Sequence, residues 1–215
     1  MWPLIKEVLT MIEWFRRLAD IPDIGYLGDS RVQRSALPEW DAVPEIVTHT
    51  FDGQQHTLLS WPTKEGATSA SPVSRYATIT EAPTPVTPTT QLLRHLSEAL
   101  ELPGTTSDFH FALQNCIEQL WKRRREEPGV VPEIERLCLL DLALIDNHPK
   151  SITNEVGREP KYFLVHAFGH LIQLYERDGY LADALAVARR ATRYEQDVKL
   201  EAIEARLALV EAEVL

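Results

Sequence analysis

The sequence predicts a mainly α protein (α+β), with antiparallel helical hairpins stacked behind a small N-terminal β-hairpin region. Three observations carry that expectation. From Thr89 onward apolar residues recur at three- and four-residue steps, broken only at turns bearing proline or glycine. Asp52-Gly53 separates two β-prone runs, the short-range signature of a two-residue hairpin turn. The stretch from Pro62 to Thr90 is dominated by Pro, Thr, Ser, Ala and Gly, and its Pro83-to-Pro88 core excludes a helix. The 215 residues thus divide into an N-terminal helix and β-hairpin region (1–61), a linker or strap (62–90) and a helical-repeat-like domain (91–215).

In chain order, Leu4, Val8, Ile12, Phe15 and Leu18 mark an amphipathic helix over residues 1–19. Lys6, Glu7, Glu13, Arg16 and Arg17 interrupt it, so no uncharged run approaches the roughly 20 residues a membrane span needs. No membrane partner and no secretory leader are expected. Glu45 to Phe51 and Gln54 to Trp61 pair across Asp52-Gly53, and Ser74 to Thr80 is a candidate third strand.

Six helices follow. Thr89 or Thr90 caps the first, which reaches Leu102 and ends at Pro103-Gly104; Ser107 or Asp108 caps the second, which stops at Pro128-Gly129. Pro132 opens the third, ending near Asn147, and Pro160 opens the fourth, broken at Asp178-Gly179. Tyr180 to Glu195 and Val198 to Val214 complete the set. Short connections make consecutive helices antiparallel neighbours.

Charge and cysteine content narrow the function. A formal charge of −10 argues against a phosphate-backbone partner, and no basic domain hides behind the average: residues 1–90 carry 7 basic and 11 acidic groups, residues 91–215 carry 15 and 21. Lys122 to Arg125 is the one basic cluster. It reads as a solvated helix C-terminus, where cations offset the macrodipole, or as a contact for an acidic protein. Two cysteines, Cys116 and Cys138, exclude a disulfide scaffold and read as core residues of a cytoplasmic chain.

Ile117-Glu-Gln-Leu-Trp121 and Leu171-Ile-Gln-Leu-Tyr175 are related by a shift of 54 residues, and Arg123 then matches Arg177. In the second copy Leu171, Tyr175, Gly179, Ala184 and Ala191 stand at the spacings of signature positions in a tetratricopeptide repeat, with Phe168 in place of its tryptophan. That pair therefore resembles the tetratricopeptide family over about a sixth of the chain. Ile172 departs from the usual small residue and Gln196 from the usual proline. The resemblance implies a groove lined by the first helix of each pair. Its face would present His166, His170, Gln173, Glu176 and Arg177, joined through the 54-residue shift by Cys116, Gln119, Lys122 and Arg123. The last helix would be a cap, and its Leu200, Ile203, Leu207 and Val210 also form a narrow seam suited to self-association.

Candidate chemistry is sparse. His166 and His170 are four apart, the helical spacing at which two imidazoles share a metal, but Ala167 removes the metalloprotease motif and the third donor is undefined, with His110, Cys116 and His148 as candidates. Gly28-Asp29-Ser30 resembles the opening of the hydrolases named for a Gly-Asp-Ser-Leu signature. Arg31 replaces the leucine and no Asp-x-x-His block follows, so a loop turn is the reading. The sequence thus assigns no catalytic residue and no cofactor. It predicts a non-catalytic, cytoplasmic protein-interaction module, adaptor or chaperone-like, that holds a peptide or partner protein in a helical groove. The alternatives are an enzyme built on a metal at His166 and His170, and a homodimeric structural component.

Overall fold

The structure, a computed structural model, describes residues 45–51, 53–63, 66–71, 73–74, 87–102, 104–154 and 161–214. The helix expected over residues 1–19, Gly28-Asp29-Ser30, Pro83 to Val86 and all but the first residue of the Ser74-to-Thr80 strand candidate lie outside them. The described chain is mainly helical, with six α-helices. No helix among the described residues is long and apolar enough to cross a membrane. The chain divides into two compact units, Met1–Cys116 and Ile117–Leu215.

In the first unit, strands β1 (Glu45–Phe51), β2 (Gln54–Thr63) and β3 (Gly66–Ala70) lie in the order β1-β2-β3. Both pairings are antiparallel, with Glu45 opposite Ser60, Phe51 opposite Gln54 and Leu59 opposite Ala70. Gly53, at the connection of β1 and β2, adopts φ of 76°, a conformation other residues avoid. Pro62 lies beyond the reach of β1, where β2 has a neighbour on one side only and a missing N–H is tolerated.

Helix α1 (Thr89–Leu100) buries Leu92, Leu96, Ala99 and Leu100, one stripe at helical period. Pro88, not Thr89 or Thr90, occupies its N-cap. Helix α2 (Thr106–Arg123) starts one residue before the predicted caps because Thr105 does the capping. The Thr105 hydroxyl accepts the Asp108 N–H at 3.2 Å, and the Asp108 carboxylate accepts the Thr105 N–H at 2.8 Å, a reciprocal box.

The second unit begins inside α2 and is organised around α3 (Val131–Asn147), entered through a 3₁₀ turn at Pro128–Val130. Pro132 stands in its first turn, where a missing N–H removes no helical bond. Ile134, Leu137, Cys138, Leu142, Leu144 and Ile145 are all at most 1 % exposed, a broad buried face, while Arg136 and Leu139 are exposed on the other side. Each such buried side chain contributes about 1.5–3 kcal/mol by leaving water.

A second 3₁₀ turn, Pro149–Ile152, leads into the two-residue strand β4 (Thr153–Asn154), which pairs with β5 (Lys161–Tyr162). Here the prediction that Pro160 opens a helix is corrected. Lys161 and Tyr162 are engaged in the ladder and the Phe163 N–H in a 2.7 Å bond to the Ile152 carbonyl, so the chain stays extended. Helix α4 (His166–Asp178) therefore begins at His166. It packs on α3 and on α5 (Leu181–Thr192), and α5 packs on α6 (Leu200–Val214).

Gly179 ends α4 at φ of 84°, and the Tyr180 N–H donates to the Tyr175 carbonyl at 2.8 Å, closing the tight turn into α5. Ala184, Ala188 and Ala191 are wholly buried, and their small side chains permit close helix approach. On α6, Ile203 is buried whereas Leu209 and Val210 are 66 % and 47 % exposed.

Candidate functional site

The most chemically dense place in the second unit lies where the end of α2 meets the start of α4. His166 and His170 stand four apart, so their rings emerge on one face of the first turn of α4. The entry to that turn is fixed by Gln196. Its Oε1 accepts the Val165 N–H at 2.8 Å, and its Nε2 donates to the Phe163 carbonyl at 3.0 Å and the Tyr194 carbonyl at 2.8 Å. The position at which the repeat pattern expects proline therefore holds three backbone groups.

Glu118, on α2, reaches between the two rings. Its Oε1 lies 2.6 Å from His166 Nδ1 and 2.6 Å from His170 Nε2. Burial alone would raise the Glu118 pKa, but the hydrogen bonds from His170 and His166 outweigh it and hold the carboxyl below its usual range. An ionised carboxylate only accepts, so both facing ring nitrogens carry protons. Burial pushes His170 down, against the opposing pull of Glu118, with the neighbouring His166 and the Arg124 charge adding to the depression. The neutral His170 ring protonated at Nε2 leaves Nδ1 as a bare acceptor, and that atom is buried without a partner.

An aromatic wall backs this cluster. The Trp121 ring stacks on His170 at 4.0 Å between centroids and 22° between planes. Arg124 lies over the Trp121 ring, its Cζ 3.8 Å from a ring centroid, and donates to the Trp121 carbonyl. Burial and the neighbouring charges of Arg125 and Arg177 push the Arg124 guanidinium below its usual range, so the basic end of α2 and Arg177 of α4 share one electrostatic neighbourhood.

The residues singled out in the sequence fall in different places. His166, His170 and, through Arg124, Arg177 join the α2–α4 cluster. Lys122, Gln173 and Arg177 are exposed, and Gln119 and Glu176 are half-buried. Arg177 pairs with Asp178 through two bonds of 2.7 and 2.9 Å, and Glu176 with Arg206 of α6. Arg123, expected on the open face, is buried. Cys116 is buried too, and burial followed by the charges of Asp141, Glu118 and Glu135 raises the Cys138 thiol well above its usual pKa, which keeps it protonated. Phe168 and Leu171 face the core, and the Tyr175 hydroxyl donates to Glu135 of α3 at 2.8 Å. Of the seam on α6, Ile203 is buried, Leu200 and Leu207 are half-buried and Val210 is exposed.

Sequence reasoning missed Glu118, Trp121 and Arg124 as members of this cluster. The one signal available was their place in the copy related by 54 residues, which puts Trp121 opposite Tyr175 and Glu118 opposite Ile172. No protein-family model, no curated protein and no solved structure matches the chain.

Proposed function

We propose that residues 117–215 form a non-catalytic recognition module that holds an acidic peptide segment of a partner protein along the α2–α4 face. The observation that supports this is the shared neighbourhood of Arg124, Arg125 and Arg177. Cations that repel one another at a protein surface are stabilised by an anionic partner. Exposed Lys122 and Gln173 flank them. In this reading the helix pairs α2/α3 and α4/α5 stack in the manner of tetratricopeptide repeats, with α2 and α4 as the groove-lining helices. The β1–β2 pair is a small hairpin of the first unit. A rigid helical face loses little ordering entropy when it binds an extended ligand. The free thiols of Cys116 and Cys138 suit a cytoplasmic location.

The test is fluorescence anisotropy with a labelled hexaglutamate peptide, alongside a hexaglutamine control. Saturable, salt-sensitive binding to the glutamate peptide is expected, and Arg124→Glu/Arg177→Glu should weaken it at least about tenfold, or about 1.4 kcal/mol. Equal binding by the variant, or no binding by the native chain, refutes the reading. Self-association is the second reading, supported by the exposure of Leu209 and Val210. Light scattering should then give twice the monomer mass, reverting to one on Leu209→Glu/Val210→Glu; a native monomer removes it.

A further inference from the structure

We infer that Glu118, His166 and His170 bind one divalent transition-metal ion of the zinc class and leave one coordination position open to solvent. The inference does not depend on the peptide-binding reading. Two imidazole nitrogens and one carboxylate oxygen form the donor set of open, three-ligand zinc centres. Here one ligand atom from each residue lies within 4.8 Å of the other two, and no other group of three such side chains among the described residues does so.

The geometry is that of a site closed around hydrogen bonds. A tetrahedral ion with bonds of about 2.0–2.2 Å requires ligand atoms about 3.3–3.5 Å apart. Each 2.6 Å nitrogen–oxygen contact must therefore open by about 0.8 Å. The carboxylate is the group able to give way, because Glu118 has a flexible, partly exposed side chain, whereas His170 is clamped against Trp121.

A metal takes an imidazole at a bare ring nitrogen, so His166 would coordinate through Nδ1 with its proton on Nε2, and His170 through Nε2 with its proton on Nδ1. His170 Nδ1 is unsatisfied as a bare acceptor and equally unsatisfied as a donor, so coordination does not add to that penalty. Metal-bound imidazoles are usually oriented by a hydrogen bond at the second nitrogen. Here the Trp121 face, backed by Arg124, sets the plane of the ring instead.

Exposure places the vacant position. The His166 and Glu118 side chains are 35 % and 28 % exposed, His170 only 10 %, so an ion held by all three meets water on the His166–Glu118 side. A three-ligand centre with such an opening retains a solvent molecule.

The experiment uses the full chain, stripped with chelator and titrated with cobalt(II), then with zinc by calorimetry, without peptide. One equivalent should bind, with the visible bands of tetrahedral cobalt. Glu118→Gln and, independently, His166→Ala should each abolish the band with unchanged helical circular dichroism. His166 is partly exposed, so its variant decides the matter if Glu118→Gln disturbs the fold. Trp121→Leu should retain stoichiometry while weakening binding about 10- to 100-fold. Absence of a stoichiometric band in the native chain, or binding that survives both ligand substitutions, overturns the inference and leaves a hydrogen-bonded cluster.

Discussion

Two glycines of α4 make opposite demands, and substituting each by alanine tests how the helix is built. Gly169 lies inside the helix beside His170, and a Cβ added there meets nothing within 4 Å. Alanine is favoured over glycine in a helix interior by about 0.8–1.0 kcal/mol, so Gly169→Ala should stabilise the chain by about 1 kcal/mol. Gly179 also has open space around its missing Cβ, but its φ is +84°. A left-handed alanine costs about 1–2 kcal/mol, offset by about 0.4–1 kcal/mol from the stiffer unfolded chain. The net for Gly179→Ala is a loss of about 0.5–1 kcal/mol. The two variants should thus differ by nearly 2 kcal/mol in urea unfolding followed by circular dichroism, with unchanged denaturant dependence. Equal midpoints would refute the reasoning, because they would mean that the α4–α5 turn does not require a left-handed residue.

Acid should loosen the α2–α4 cluster through two groups. His170 is held below its ordinary 6.5, so between that value and its native one the unfolded chain binds more protons and stability falls as pH falls. Glu118 is held below 4.5, and its contribution, complete above that value, is lost as pH falls through its native one. Urea midpoints measured from pH 7 to 3 should decline in both windows, and Glu118→Gln should flatten the lower one. Tyr194 is pushed up to about 12 by burial and by its hydrogen bond to Asp146, so one tyrosinate absorbance step should come about two units late, with stability falling between pH 10 and 12. Asp146→Asn should destabilise by about 1–3 kcal/mol in thermal unfolding, because Asp146 accepts the Tyr194 hydroxyl at 2.6 Å and pairs with Arg190 at 2.9 Å.

The helices were legible because one-sided burial imprints a period on the residues: Leu92, Leu96 and Ala99, or Ala184, Ala188 and Ala191, are visible as stripes before any coordinates exist. Gly179 was legible for the same reason, since a left-handed turn leaves a residue-type requirement behind. The two histidines showed the spacing of a shared site. Their partner did not, because Glu118 lies 48 and 52 residues away on a helix where a glutamate reads as ordinary solvated surface. Trp121 was hidden likewise: an aromatic at helical spacing reads as core, and only the fold lays its face on His170. The β4–β5 pair escaped detection because two residues per strand carry no period, and Pro160 is compatible with both a helix start and an extended approach.

The bonds made by Gln196 tie together events that are distant along the chain. One amide side chain holds Val165 and Phe163, just before α4, to Tyr194 at the end of α5. The segment leading to α6 therefore cannot lift away without freeing the amide next to His166. In hydrogen exchange, the Val165 N–H should open together with the α5–α6 connection as one cooperative unit. Fraying at the C-terminal end of the fold would then be felt, in the same opening event, at the first histidine of the cluster.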